Sequence, residues 1–353
     1  MSHRVDTILP ADSAEFCPAA DATDIFVIGT YKLEESTPNQ PAESEEEVQV
    51  PIKQQRWGKC LVYQTTEDDE CVQLQEVLMP AIFDMKWAVD VLGIADAEGN
   101  LRFLKWDNKN RRLEEMHTLK CEEGPEDALC LSLDWCRYRS DYSSDKLTVS
   151  LSNGCVQIVE QTNATYTVTN TWKAHDFEPW ITAWDRWDLN RIYTGGDDCV
   201  LKGWDSRIGF DQPIFKNKRF EGGVTTIQGN PHLEHIIAVG SYDTKVRLFD
   251  VRQLTRPVTE VEVGGGAWRV KWHPDPARSS HLLVACMHDG FKVVNFENIS
   301  QGSADVTSSI ASRFDKHESL AYGVDWSSAT PTKEGTLVAS CSFYDHSMYL
   351  WRA

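Results

Sequence analysis

Four segments place a chemically capable side chain immediately before an aspartate in a polar turn: Asp197 before Asp198, Tyr242 before Asp243, His288 before Asp289 and Tyr344 before Asp345. If one rim gathered these turns, a carboxylate, an imidazole and two phenols would share it. An imidazole takes a proton from water near neutral pH, and a nearby carboxylate orients it or stabilises the imidazolium. His288 with Asp197 would thus make a general base and its electrostatic partner; a plain surface histidine is the alternative. A second set is aromatic. Trp180, Trp268 and Tyr322 each stand four residues before the tryptophan that closes a β-rich run. With Tyr242 and Tyr344 they would line a cage for a quaternary ammonium, worth about 0.5–2 kcal/mol per good contact, although ordinary packing explains such rings too. The run GGGAWR offers Gly265 and Gly266, whose N–H groups would hold an oxyanion, and Arg269 as a substrate-binding cation. A tight turn is the competing reading.

Familiar catalytic signatures do not occur. The chain carries no GxSxG, no Walker loop, no GxGxxG after a strand and no HExxH. The ten cysteines form no CxxC pair and have no histidine at zinc spacing, so they read as reduced thiols and no metal is expected. Cys286 and Cys341, inside β-rich runs, read as inert core thiols. A metal hydrolase built on His288 and Asp197 is weakly supported, since too few ligands cluster. No cofactor is expected.

The elements that would bring these side chains together are repeats. Runs ending at Trp87, Trp135, Trp184, Trp272 and Trp326 recur, with Gln228 at the matching position of a hidden unit, and each unit takes roughly 45–50 residues. Each holds β-rich runs joined by polar turns, as in RIYTGGDDCVLKGWD and HIIAVGSYDTKVRLFD, and alternation such as Lys245-Val246-Arg247-Leu248 suits half-buried antiparallel strands. A His, an Asp and a Trp recur at set separations: His175, Asp198 and Trp204 in one unit, His317, Asp345 and Trp351 in the last. This resembles the WD-repeat family and implies an all-β, seven-bladed WD-repeat β-propeller. Those six residues then have a structural role, and His232, His235 and His273 fall in turns of the opposite face, expected to be solvent-exposed. Pairing an N-terminal strand, Val5 to Leu9, with the C-terminal blade would close the ring and leave no open sheet edge.

Residues 1–353 read as a single propeller domain with an acidic insertion at about 34–56, a solvated spacer or a tether for a basic partner. Gln301 to Ser312 reads as a loop, with Val306 to Ile310 able to form an outer strand. The formal charge of −19 disfavours nucleic acid as a direct partner and favours a basic protein or a cationic group. No apolar run approaches the ~18 residues of a membrane span, and Met1 to Pro10 lacks the apolar stretch of a secretion signal. A cytoplasmic protein away from membranes is expected, and a closed propeller is expected to be a monomer.

The turns AHDFEPWITAW, YTGGDDCVLKGWD, GSYDTKVRLFD, GGGAWRVKWHP, ACMHDGFKV and SCSFYDHSMYLWR together resemble the diphthine methyl esterases, WD-repeat proteins of diphthamide biosynthesis. The weaker front segments ADSAEFCP and GTYKLEE fit a first blade. The resemblance implies hydrolysis of the methyl ester of methylated diphthine on translation elongation factor 2, giving diphthine and methanol. It also implies a trimethylammonium-bearing protein substrate, which suits an aromatic cage and a negative surface. The alternative is a non-catalytic WD-repeat scaffold for protein–protein interaction.

Overall fold

The computed structural model describes residues 2–34, 55–121, 128–136, 146–163, 165–299, 306–332 and 334–353. They form seven antiparallel sheets arranged as a β-propeller. Counting blades from the N-terminus, the innermost strands are Ala11–Phe16, Ile82–Ala88, Cys130–Trp135, Ile181–Trp184, Val224–Gly229, Arg269–Trp272 and Ala321–Trp326. The hidden unit is a full blade, but the residue at the tryptophan position is Gly229, paired with Ile237 as Trp184 is with Ile192, and not Gln228, whose side-chain oxygen accepts from the Trp272 N–H at 2.6 Å.

The ring closes as the edge argument requires. Ser2–Asp6 pairs with Ser347–Arg352, with Ser2 opposite Trp351 and Asp6 opposite Ser347. The closing strand is thus shifted from the expected Val5–Leu9. Thr7 already turns away: its N–H donates to the His346 carbonyl at 2.8 Å, its hydroxyl to the Leu9 carbonyl at 2.7 Å, and Ile8 sits at φ 65°. This turn delivers the chain into the first blade. Most of the acidic insertion lies outside the described residues; the chain leaves the first blade at Glu34 and returns at Gln55, whose carbonyl accepts from the Glu34 N–H at 3.0 Å. The outer strand of the sixth blade is Thr307–Phe314, so the strand alternative for that segment holds.

Two blades show how the repeat residues fix the turns. His175 Nδ1 meets Asp198 at 2.8 Å, its Nε2 meets the Thr194 hydroxyl at 2.7 Å, and Trp204 Nε1 donates to that hydroxyl at 2.9 Å. In the last blade His317 and Trp351 meet at the Ser340 hydroxyl, at 2.9 and 3.0 Å. Asp345 joins this set through Ser342 and Ser347 instead of touching the imidazole. The fifth blade lacks the histidine, and Arg247 takes its place, paired with Asp243 at 2.9 Å and lying over the Phe220 ring.

His273 departs from expectation. It is fully buried, not exposed, because the seventh blade covers it: Nε2 meets Thr336 at 2.8 Å and the ring packs on Trp326. The inner strands line the central channel with alternating charges. Lys86 bridges Glu15 and Asp84 at 3.0 and 2.7 Å, Lys271 joins Glu15 to Asp325, and Arg269 reaches Asp84 at 3.2 Å. Burying such charges is tolerable only because each has an opposite neighbour.

Candidate functional site

Four of the five expected cage residues, Trp180, Trp268, Tyr242 and Tyr322, lie together, and Tyr344 does not join them. Trp180 and Trp268 immediately precede the inner strands of the fourth and sixth blades, and Tyr322 is the second residue of the seventh blade's inner strand. Trp268 is the centre: its ring lies 5.7 Å from Trp180, 5.9 Å from Tyr242 and 4.9 Å from Tyr322, centroid to centroid. The arc continues through residues that the sequence reading did not single out. Tyr322 meets Phe343 at 5.5 Å, Phe343 meets Tyr31 at 5.9 Å, and Tyr31 meets Phe83 at 5.3 Å. Phe83 had a legible signal, since it stands four residues before Trp87 as Trp180 does before Trp184. The result is an arc of touching aromatic rings, termed the cup, whose ring faces suit a cation.

Asp197 stands on the cup wall. Its Oδ1 accepts from Trp180 Nε1 at 2.7 Å, and it lies against Gly223 beside Tyr242. Burial raises its carboxyl above the ordinary value, Trp180 pulls it down, and Glu178 and Asp198 add to the rise. Arg269 lies in the channel, buried, with Asp84. Burial alone would raise Asp84; Arg269 and Lys86 hold it below the usual carboxylate range.

His288 and Tyr344 occupy a neighbouring place. They line a groove of about 550 Å³ between the sixth and seventh blades, with Asp289, Arg313, Asp315 and Ser319. Tyr344 is 71% exposed and packs edge-on against Phe343, which stands between it and Tyr322. The structure therefore gathers Trp180, Trp268, Tyr242 and Tyr322 in the cup, and His288 with Tyr344 in the adjoining groove. It does not pair His288 with Asp197, which belongs to the fourth blade and is bonded to Trp180.

The glycine run curves beneath Trp268. A Cβ on Gly265 would sit 2.0 Å from the Cys286 carbonyl oxygen, and one on Gly266 would sit 2.7 Å from Met287 Sδ and 3.2 Å from Tyr242. Glycine is needed here for close approach to the 286–289 turn, and Gly266 borders the cup. The neighbouring N–H groups of Gly264, Ala267 and Trp268 are taken by Glu262, Ser241 and Ala285. Cys286 and Cys341 are buried free thiols, and burial pushes the Cys286 thiol up to about 12, which leaves it a packing residue.

One carboxylate was missed altogether. Asp12 is 5% exposed, and among the described residues its Oδ2 has no hydrogen-bond partner. Trp268 Nε1 is likewise buried and unpartnered. Among the described residues, no cluster of histidine, cysteine, aspartate or glutamate is suited to a metal, and no helix is long and apolar enough to cross a membrane.

The fold defines a class: a seven-bladed WD-repeat propeller, in which Trp180, Trp268, Tyr242 and Tyr322 cluster with Asp197 beside them. A crystal structure titled as the mitotic checkpoint complex contains a chain of the same fold, with a TM-score of 0.70 at 13% identity over 99% of this chain and 90% of that one. No family model matches the sequence. Curated relatives are more specific. The mouse diphthine methyltransferase is 37% identical over 92% of this chain and 68% of its own length. The human protein of that name is 36% identical over 92% and 74%, and the Schizosaccharomyces pombe one 32% over 97% and 94%. The chain belongs to the diphthine methyltransferase family, whose name places it in diphthamide biosynthesis.

Proposed function

We propose that this protein hydrolyses the methyl ester of methylated diphthine on translation elongation factor 2, releasing methanol and leaving diphthine. The observation that carries the reading is the convergence of Trp180, Trp268, Tyr242 and Tyr322 in one cup with Asp197 on its wall. Ring faces attract a quaternary ammonium, and the carboxylate adds charge that neutral rings lack. The formal charge of −19 favours approach of a cationic group.

In the proposed step, water attacks the ester carbonyl carbon and gives up a proton to His288, which lines the adjoining groove with Tyr344. The oxyanion of the tetrahedral intermediate takes N–H groups at Gly265 and Gly266. Collapse breaks the bond to the methoxy oxygen, and the imidazolium returns its proton to that oxygen, so methanol departs and the carboxylic acid left behind releases its proton to solvent as the carboxylate. Asp197 serves the cation through its place beside Trp180, and Arg269 receives the new carboxylate. Family membership supports the pathway, and the mouth chemistry supports ester hydrolysis as the form that methyl removal takes.

The test is incubation of purified protein with methylated elongation factor 2, followed by mass spectrometry of the modified peptide. Loss of one methyl with methanol appearing supports the esterase. Stable binding with no mass change supports the scaffold alternative.

A further inference from the structure

The rim position that supplies Phe83, Trp180, Trp268 and Tyr322 stands four residues before the aromatic closing each inner strand. In the first blade, counting back from Phe16, that position is Asp12. The arc of aromatics thus has a single acidic member, next in the ring after Tyr322. Its setting is that of a charge without a partner. Asp12 is 5% exposed and its Oδ2 makes no hydrogen bond among the described residues, although a buried carboxylate oxygen ordinarily has at least one donor. Arg269, the cation whose charge acts on Asp12, is already engaged by Asp84 at 3.2 Å.

We propose that Asp12 is the buried counter-ion of the cup, selecting ligands that carry a permanent positive charge over uncharged ligands of the same shape. The proposal rests on the reading of the mouth as a cation site and names the residue that gives it charge selectivity. A cup of rings alone also accepts a neutral tert-butyl group, because ring faces bury apolar surface whatever its charge. A buried carboxylate with an oxygen that lacks a hydrogen-bond donor penalises the neutral ligand and rewards the cation.

The electrostatics agree. Burial pushes the Asp12 carboxyl up to about 7, against the pull of Arg269 and with a further rise from Asp84. The other titratable neighbours are Tyr242, Tyr322 and Cys341, all raised by burial above their ordinary values and neutral at physiological pH, and Asp84, which stays ionised. Asp12 thus gains charge as pH rises through about 7; burial also raises Asp197 on the wall and, in the channel, Asp325 to about 6, and Asp12→Asn separates its share from theirs. A cation entering the cup selects the ionised form of Asp12, so affinity rises with pH through about 7.

The experiment titrates the full chain with choline and with its uncharged isostere 3,3-dimethylbutan-1-ol, following the fluorescence of Trp180 and Trp268, at pH 6 and pH 8. The wild type should prefer choline, and its choline affinity should rise roughly 5- to 10-fold between the two pH values, as expected for a group ionising near 7. Asp12→Asn, which keeps the shape, should lose most of the preference and most of the rise. The wild-type pH comparison stands even if that variant fails to fold. A flat wild-type profile, or a variant that binds choline as tightly as wild type, overturns the proposal. So does a variant with wild-type choline binding at both pH values but no methyl release, since Asp12 would then act on the proton and not on the cation. Choline binding with this pattern alongside wild-type protein that removes no methyl would instead sink the esterase reading and leave Asp12 in its role.

Discussion

Trp180 Nε1 donates to Asp197 Oδ1 at 2.7 Å, locking an indole at the entry to the inner strand to a carboxylate in the turn between the second and third strands of the same blade. The bond orients the ring that closes the cup on the Trp268 side and keeps a negative charge on the wall. Asp197→Ala should release the indole and weaken choline binding about 3- to 10-fold, the loss expected of one charge-assisted contact. Asp197→Asn keeps an acceptor for Trp180, so it should retain ring position and lose only the charge. Comparing the two by choline titration separates orientation from electrostatics.

Trp268 touches three rings of the cup. Trp268→Ala removes the ring through which Trp180, Tyr242 and Tyr322 meet. Methyl release from methylated elongation factor 2 should fall at least 10-fold in kcat/KM, with most of the change in KM, because binding is lost and the reacting groups remain. Wild-type kinetics in a folded variant would remove the cup from the function.

His288 is exposed and lines the groove with Tyr344. His288→Ala should leave choline binding intact and lower methanol release 100-fold or more, within the usual contribution of a general base. Near-normal turnover would take His288 out of the mechanism.

Thr194 joins His175 to Trp204 inside the fourth blade. Thr194→Val leaves an imidazole and an indole buried without that partner, at a cost of about 1–3 kcal/mol, read as a lower melting temperature. Acid should act on the last blade as well. Burial lowers the His317 imidazole to about 4, against the pull of Asp345. The unfolded chain takes up that proton below about pH 6.5 and the folded chain does not, so stability falls as pH drops from 6.5 toward 4.

Asp12 should show the opposite sign. Folding raises its carboxyl from 3.8 to about 7, so the folded chain keeps a proton that the unfolded chain releases over that interval, and stability declines as pH rises through it. Asp12→Asn removes the effect. Its melting temperature relative to wild type should be unchanged near pH 4 and higher by pH 8.

Much of this was legible because closing tryptophans and turn aspartates recur at spacings that a blade dictates. The same counting found Trp180, Trp268 and Tyr322, and the structure puts them in one cup. What escaped depended on neighbouring blades. His273 looked exposed because its own turn is polar, while Thr336 and Trp326, which bury it, come from the next blade. Thr194 and Ser340 were passed over because a hydroxyl inside a β-rich run carries no signal until the imidazole and indole on either side are seen to converge on it. Asp12 obeys the rim spacing, yet a carboxylate in a row of aromatics breaks the pattern by which such positions are recognised. The separation of His288 from Asp197 is a matter of where turns point around a ring, which spacing along a chain does not encode.

The most direct test of the account is the mass of the modified elongation factor 2 peptide after incubation with wild-type protein and with Trp268→Ala. Wild type should strip one methyl group and release an equal amount of methanol, and the variant should do so at least 10-fold more slowly at limiting substrate. An unchanged peptide mass with folded, substrate-bound wild-type protein would contradict the esterase, and equal rates for the two proteins would contradict the cup.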